Sequence, residues 1–300
     1  MSAPAFERPE ADRAGRLGVV FALLSAICYG GLMPWTRLGS EAGVHAPDLA
    51  FYRVAFVGAL IIPLVLALRR PLTVPRDLWP PLLGYSLCIW FIGVTYMGSV
   101  AFIPVGLAAI IFFTFPLLTA LVSPFVDGTR LPPLNAVLIL VAFAGLGLAI
   151  GPSIHSLDPR GLVLAAMAAA GATGMFLFAG QMAPRLPVLT VAFWVHLLLL
   201  LPAFGFAVVM GGPSPAILSW AGAIPPLVIA AGYGLGFLFQ MRASAHAPAA
   251  HITQFFFIEP VAAIAAAALV LGETLEMHQY LGAGIVLAVL VAIVRRGRPD

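Results

Sequence analysis

The acidic residue best placed to do chemistry is Glu259, which lies inside a long apolar stretch directly before Pro260. An ionisable group is costly near the centre of a bilayer, so one that is kept there is paired, reaches toward the interface or has a function. Because Pro260 lacks an N–H, the carbonyl of Phe256 loses its helical partner. Two interpretations follow. Glu259 binds a proton or a substrate amine, or it is a neutral carboxylic acid hydrogen-bonded to the backbone at a kink.

A polar stripe accompanies Glu259 on the same predicted helix. His251, Gln254, Phe255 and Glu259 are spaced i, i+3, i+4 and i+8, which places them on one broad face. A face this polar is expected to look onto a cavity rather than onto lipid. His251 is therefore a second candidate for proton binding.

Aromatic side chains at helical spacing predict a lined pocket. Tyr85, Ile89, Ile92 and Tyr96 share one stripe, Tyr233, Phe237 and Gln240 share another, and Trp90, Phe112 and Phe113 complete the set. Such residues also pack between helices or sit at the membrane interface, which is the commoner role for any single one. As a set, they are candidates to contact a substrate with apolar or cationic groups.

Arg53 lies a few residues into the second predicted helix, and its approximate repeat mate is His196. The usual behaviour of an arginine at that depth is to extend its charged end to the interface. The alternative is a partner for a substrate carboxylate near the periplasmic mouth. Pro116 and Pro260 are predicted to act as hinges, since proline interrupts the helical hydrogen bonds.

Composition excludes several classes of protein. Of the 300 residues, 62% are hydrophobic and 9% charged, the mean hydropathy is +1.06, and the basic residues comprise 15 Arg and no Lys. No patch for nucleic acid and no Walker lysine for ATP are present. Cys28 and Cys88 belong to no metal or redox motif. We expect no metal, no cofactor and no catalytic residues, because an intramembrane enzyme needs two or more convergent groups and none is evident.

Ten apolar runs are long enough to cross a bilayer, which takes about 20 residues. The predicted helices cover 17–38, 48–68, 78–98, 103–124, 133–151, 160–183, 188–210, 219–240, 247–271 and 275–295. The first lacks a clear cleavage site and is interpreted as a retained helix. The sequence therefore predicts an all-α integral membrane protein.

Arginine placement predicts the orientation of these helices. Arg residues cluster at both termini and in the breaks after the second, fourth, sixth and eighth helices, whereas the other side carries only Arg37 and Arg160. By the positive-inside rule, both the segment 1–16 and the tail 296–300 are cytoplasmic. The Arg-rich, Lys-free composition hints at a bacterium with a GC-rich genome. The expected location is the bacterial inner membrane.

The chain repeats itself. An offset of 144 superimposes five residues of the first half on identical residues of the second: Pro104, Phe112, Phe113, Pro116 and Gly128 on Pro248, Phe256, Phe257, Pro260 and Gly272. The predicted halves are 17–151 and 152–295, with five helices each. An odd number of helices inserts the second copy from the opposite face, so the repeats are inverted, as is typical of transporters.

Several motifs carry a family resemblance. They are Glu259-Pro260-Val261-Ala262-Ala263, Leu271-Gly272-Glu273 and Leu281-Gly282-Ala283-Gly284, with Thr114-Phe115-Pro116-Leu117 and Gly128-Thr129 as a looser first copy. Over nearly its whole length the chain resembles the drug/metabolite transporter superfamily, specifically the EamA-like ten-helix exporters. The resemblance implies alternating access around a central cavity and export of metabolites, often amino acids. The aromatic content is most similar to the YddG-type aromatic amino-acid exporters.

These observations predict a secondary exporter of amino acids, aromatic or large apolar ones preferred, and of related small metabolites. Other cargo, such as cationic drugs or nucleotide-type metabolites, is the alternative within the superfamily. An intramembrane enzyme and a receptor that binds without transporting are the alternatives outside it. Proton coupling and uncoupled facilitated diffusion both fit so few intramembrane charges. The expected partners are a small-molecule substrate and the lipid bilayer, without nucleic acid, and a monomer fits the sequence as well as an oligomer.

Overall fold

A computed structural model describes residues 8–151 and 157–296, and these residues form helices and connecting turns with no strand among them. Within the described residues, ten helical spans are long and apolar enough to cross a membrane. They are α1 (Gly15–Glu41), α2 (Ala46–Ala67), α3 (Arg76–Ser99), α4 (Val105–Val126), α5 (Pro133–Ile150), α6 (Pro159–Met182), α7 (Val188–Val209), α8 (Trp220–His246), α9 (Ala249–Leu271) and α10 (Met277–Arg296). The predicted all-α fold with ten spans is confirmed.

Two boundaries differ from the prediction. The helix that contains α1 begins at Arg8, inside the predicted amino-terminal segment, and α8 continues to His246 instead of ending near residue 240. The sequence after residue 240 looks like a break because it contains Arg242. In the structure Arg242 is exposed while Ala243 and Ser244 are buried, so the helix simply extends beyond the apolar core. Residues 1–7 and 297–300 of the predicted terminal segments lie outside the described residues.

Three spans are interrupted near their middle. In α1 the helix that began at Arg8 ends at Gly30, and a second helix covers Met33–Glu41. α4 consists of Val105–Phe112 and Phe115–Val126, and α9 contains a 3-10 turn at Gln254–Phe257 before Ile258–Leu271. A proline lies within the first three residues after each interruption: Pro34, Pro116 and Pro260. Proline lacks an N–H, so it is tolerated at a helix start and breaks the hydrogen bonds of the preceding turn.

Successive spans run in alternate directions and therefore give the molecule two faces. On the amino-terminal face, where α1 begins, Asp77 and Arg185 form an ion pair of 2.6 Å. On the opposite face, Arg37 of α1 pairs with Glu273 in the α9–α10 turn. Both pairs are exposed, so each adds little to stability, but they show which turns share a face.

The packing of the spans has an internal two-fold pattern. α1 packs against α8 and α9, and its counterpart α6 packs against α3 and α4. α2 packs against its own counterpart α7, and α5 against its own counterpart α10. Exchanging each span for the one five places later therefore maps the set of contacts onto itself, as expected for two related halves of five helices.

The helices α5 and α10 approach so closely that one added methyl group tests their contact. A Cβ atom added at Gly282 would overlap the backbone nitrogen of Ala149 and the backbone oxygen of Gly145, whereas one added at Gly284 would meet nothing. We expect Gly282→Ala to lower the stability of the purified protein by about 1–3 kcal/mol, because neither backbone can give way. Thermal unfolding in detergent, compared with Gly284→Ala, measures the difference. Equal unfolding temperatures for the two variants would show that the α5–α10 contact is looser than described.

Candidate functional site

Repeat-related segments differ in burial, and the difference shows which way the interior opens. Residues 249–257 of α9, next to the amino-terminal face, are buried apart from the half-buried His251. Their counterparts at 105–113 of α4, next to the opposite face, are mostly half-buried. Residues 90–98 of α3 are likewise half-buried except Thr95. These segments are therefore packed more tightly toward the amino-terminal face than toward the opposite face, although a pocket lined by Asp127, Gln181 and His246 opens on the amino-terminal face between the ends of α4, α6 and α8.

A layer of phenylalanine rings forms the closed part. Phe115 of α4 stacks on Phe176 of α6 at a centroid distance of 5.5 Å, and Phe176 meets Phe256 of α9 edge-on at 4.8 Å. The three rings are at most 2% exposed. Offset-stacked and edge-to-face rings stabilise a contact beyond their buried area. The sequence predicted Phe112 as a pocket residue. The structure places it at the edge of this layer, 5.4 Å from the ring of Tyr96.

Glu259 lies just above the phenylalanine layer, on the side that is more open. It follows the 3-10 turn of α9, and its backbone oxygen abuts Gly30 of α1. The carboxyl is part-buried and within electrostatic range of the hydroxyls of Tyr29 and Tyr96. Among the residues that the structure describes, no cation pairs with it. A carboxyl in this setting is free to hold a proton or an ammonium group.

The rest of the predicted α9 stripe is arranged differently. Gln254 and Phe255 are each 2% exposed, and the Gln254 amide donates a 2.9 Å hydrogen bond to the His251 carbonyl. A 3-10 turn has three residues per turn rather than 3.6, so the α-helical spacing does not hold across residues 254–257. The expectation of one continuous cavity-facing stripe is corrected: Gln254 and Phe255 pack in the closed half, and Glu259 lies in the more open half.

A second group of polar side chains lies where α2, α3, α7 and α8 meet. The guanidinium of Arg53 stacks over the ring of Tyr233 at 4.9 Å, and the His196 ring lies 5.8 Å from the same ring. Phe237 packs between His196 and Tyr85, at 5.3 and 6.1 Å. The guanidinium of Arg53 thus lies against an aromatic face, a favourable cation–π arrangement, and its reach toward the interface stays a prediction.

We call this group the polar cluster; its members are Arg53, Tyr85, His196, Tyr233 and Gln240. Each carries a buried atom without a hydrogen-bond partner within the described chain: Arg53 Nε, the Tyr85 and Tyr233 hydroxyls, His196 Nε2 and Gln240 Nε2. The His196 Nδ1 donates to the Ala192 carbonyl at 2.7 Å. The other amide atom of Gln240, Oε1, accepts a 2.9 Å hydrogen bond from Tyr29. Buried polar atoms are nearly always paired, so five unpaired ones in one place indicate a site for a ligand.

An apolar groove adjoins the polar cluster on the side of the opposite face. Arg53 is its charged residue, and its walls are Ala50, Val54, Ile89, Trp90, Gly93, Val94, Met97, Leu199, Ala203 and Phe206. Trp90 meets Phe206 edge-on at 5.6 Å. The groove thus combines one cation with aromatic and aliphatic walls, the usual composition of a small-molecule site. Its free volume is about 30 Å³, so a ligand larger than water requires the walls to move apart.

Several residues of these sites escaped the sequence analysis as ligand candidates, among them Tyr29, Phe176 and His196. Tyr29 lies midway along α1, where a tyrosine in an otherwise apolar helix is a usable signal. His196 was noted only as the repeat mate of Arg53. Nothing in the sequence indicates that Phe176 belongs to a site, because a buried phenylalanine and a lipid-facing one cannot be told apart from the sequence of an apolar helix.

The direction of opening is testable by thiol labelling. In a variant without Cys28 and Cys88, we expect a single cysteine at Gly93 to react with a polar maleimide much faster than one at Thr253. Gly93 is half-buried beside the groove with open space around it, whereas Thr253 is 0% exposed in the tightly packed segment of α9. The rates are measured on detergent-purified protein without substrate, so that both faces are accessible. Faster labelling at position 253 would contradict the tighter packing of 249–257.

Comparison with known proteins agrees with this architecture. The model of the EamA-like transporter family matches the chain twice, over residues 16–151 and 159–295. No curated protein matches the sequence. A solved crystal structure of a protein superimposes with a TM-score of 0.74, at 18% identity, over 94% of this chain and 99% of the other, which shows a shared fold alone. Membrane transport of a small molecule follows from the family, and by the extent of the match the chain belongs to the EamA-like transporter family.

Proposed function

We propose that the protein is a secondary exporter of amino acids, with aromatic or large apolar ones preferred, and of related small metabolites. The observation that carries the proposal is the unequal burial of repeat-related segments. Residues 249–257 are closed against their neighbours while 105–113 are not. Two related halves that pack differently are what alternating access requires, because the second state is reached when the halves exchange their arrangements.

The proposed second state follows from the repeat. In it, the opposite-face ends of α3 and α4 close as α8 and α9 now do, and the amino-terminal-face ends of α8 and α9 open. Pro116 and Pro260 each follow an interruption of their span, so bending there disturbs few helical hydrogen bonds. The moving units in this proposal are the halves 17–151 and 152–295.

Substrate preference is proposed from the side chains on the more open side. Trp90 of the groove and the Tyr96–Phe112 pair offer aromatic surface there, and Glu259 and the polar cluster supply the few polar groups. Side chains of this kind favour an amphipathic molecule with a flat apolar body. Cationic drugs are the second candidate cargo, favoured by a Glu259 carboxyl that no described cation neutralises. With both termini cytoplasmic in a bacterial inner membrane, movement from the amino-terminal face to the opposite face is export.

The test is a competition panel in proteoliposomes. Purified protein is reconstituted, and uptake of labelled phenylalanine is measured in the presence of unlabelled amino acids and of a lipophilic cation. The proposal expects uptake above protein-free liposomes, with the strongest inhibition by aromatic and large apolar amino acids. Inhibition by the cation alone would replace amino acids by cationic drugs as the cargo. Uptake equal to that of protein-free liposomes would refute amino-acid transport.

A further inference from the structure

Arg53 is a cation within a membrane span. Among the residues that the structure describes, no carboxylate forms an ion pair with Arg53, and its guanidinium lies over the Tyr233 ring. Asp48 is the acidic residue of α2 nearest to Arg53 in sequence. Its carboxylate instead accepts a hydrogen bond from the backbone N–H of Ser214. Intramembrane charges are normally paired. The missing anion is therefore expected to come from a ligand.

The unpaired atoms around Arg53 are mostly donors. Arg53 Nε and Gln240 Nε2 can only donate, and the hydroxyls of Tyr85 and Tyr233 can donate or accept. His196 Nε2 is the one atom of the five that can only accept, since Nδ1 carries the proton that it donates to the Ala192 carbonyl. Tyr85 and His196 are at most 1% exposed, so these atoms do not face bulk water. An excess of buried donors beside a guanidinium suits an anion.

The walls of the adjoining groove indicate the chemistry of the rest of the ligand. Its walls beyond Arg53 are apolar, with Trp90, Met97 and Phe206 as the largest side chains. No aspartate or glutamate lines it, so the ammonium group of an amino acid finds no acidic partner there. Glu259 does not line the groove and belongs instead to the contact of α9 with α1, within electrostatic range of Tyr29.

We infer that the polar cluster and the apolar groove bind the carboxylate of an amphipathic organic acid, and that this site does not require an amino group. The guanidinium of Arg53 holds the carboxylate, the Tyr233 hydroxyl adds a hydrogen bond, and the apolar body lies along Trp90 and Phe206. The inference rests on the proposed function for its physiological setting. It extends the substrate class from amino acids to carboxylic acids that have an apolar body and no amino group.

Three ligands of one shape test the inference. Phenylalanine carries both charged groups, 3-phenylpropionate only the carboxylate and 2-phenylethylamine only the amine. Each is titrated against detergent-purified wild-type protein, with binding read by calorimetry. We expect 3-phenylpropionate to bind within about three-fold of phenylalanine, since the groove offers nothing to the amine, and 2-phenylethylamine not to compete with it. Competition by the amine but not by the acid would overturn the inference.

Variants of the cluster assign the binding to Arg53. Arg53→Gln is expected to weaken 3-phenylpropionate binding about ten-fold or more, as loss of a charge-assisted hydrogen bond predicts. Arg53→Lys keeps the positive charge but loses the planar guanidinium, and Tyr233→Phe keeps the ring but loses the hydroxyl. Each is therefore expected to weaken 3-phenylpropionate binding less than Arg53→Gln does. The matched control is Arg160→Gln, because Arg160 also stacks on a ring, that of Phe102 at 4.4 Å, but pairs with Asp158 outside the groove.

The outcomes separate this inference from the proposed function. If wild-type proteoliposomes move no amino acid while 3-phenylpropionate still binds in an Arg53-dependent way, the proposed function fails and the inference stands. Unchanged affinity in Arg53→Gln, or an equal loss in Arg160→Gln, refutes the inference whatever the flux. Should Arg53→Gln not fold, as judged by its melting curve, unchanged affinity in both Arg53→Lys and Tyr233→Phe refutes it equally.

Discussion

Glu259→Gln is expected to abolish substrate accumulation driven by a pH gradient and to leave exchange of substrate at equal pH largely intact. Gln has nearly the size of Glu but cannot take up or release a proton, so it removes the coupling while keeping the packing against α1. The carboxyl has no cationic partner among the described residues, so nothing else depends on its charge. We expect a loss of gradient-driven uptake of about ten-fold or more in proteoliposomes.

The control for this variant is Glu41→Gln. Glu41 is exposed on the opposite face, where it pairs with Arg37 at 3.0 Å. Equal losses of exchange and of gradient-driven uptake in Glu259→Gln would assign the carboxyl to binding a substrate amine instead. Unchanged rates in both assays would support the remaining interpretation, a neutral acid hydrogen-bonded at the kink.

Gly30→Ala is expected to lose most transport and to lower thermal stability. A Cβ atom there would overlap the backbone oxygen of Glu259 and would lie 2.8 Å from the Cβ of Ala262. Both obstacles belong to the first turn after the 3-10 segment of α9, so the methyl group must separate α1 from α9. Overpacking of this kind costs about 1–3 kcal/mol. The same displacement moves Glu259 and Tyr29, so we expect transport to fall about ten-fold, by the sensitivity of such sites to small displacements.

The matched control for Gly30 is Gly147→Ala in α5, because a Cβ at Gly147 would meet no atom within 4 Å and Gly147 does not line the groove. Uptake in proteoliposomes and thermal unfolding in detergent are measured for both variants. Wild-type transport in Gly30→Ala would mean that α1 and α9 do not approach as closely as described. A loss of transport in Gly147→Ala as large as that in Gly30→Ala would mean that the effect is not specific to the α1–α9 contact.

Most of the fold is predictable from sequence because its causes are local. A run of apolar residues long enough for the bilayer must form a helix, since lipid cannot satisfy its backbone groups. Pro116 and Pro260, repeated at a fixed offset, mark interruptions that the structure contains. The end of α8 was misplaced because Arg242 faces outward while its neighbours are buried. That distinction depends on packing, not on the composition of the segment.

The candidate site was only partly predictable. Glu259 stands out because an acid inside an apolar helix is rare, and Tyr85, Tyr233 and Gln240 were found by their helical spacing. These residues contact the region of Arg53 and His196 only because four spans that are distant in sequence pack together. No local sequence pattern predicts which faces these spans turn toward each other. The 3-10 turn at 254–257, which places Gln254 and Glu259 in different environments, also depends on packing between the spans. Whether these residues contact a substrate stays a prediction.

Trans-stimulation tests most directly whether the protein is an alternating-access carrier of amino acids, as proposed. Proteoliposomes containing the purified protein are loaded with unlabelled phenylalanine, and entry of labelled phenylalanine is compared with that into empty proteoliposomes. A carrier that must reorient after each passage is accelerated by substrate on the far side, so faster entry into loaded vesicles is predicted. Entry at the same rate with or without internal phenylalanine would contradict alternating access, and no entry in either case would contradict amino-acid transport itself.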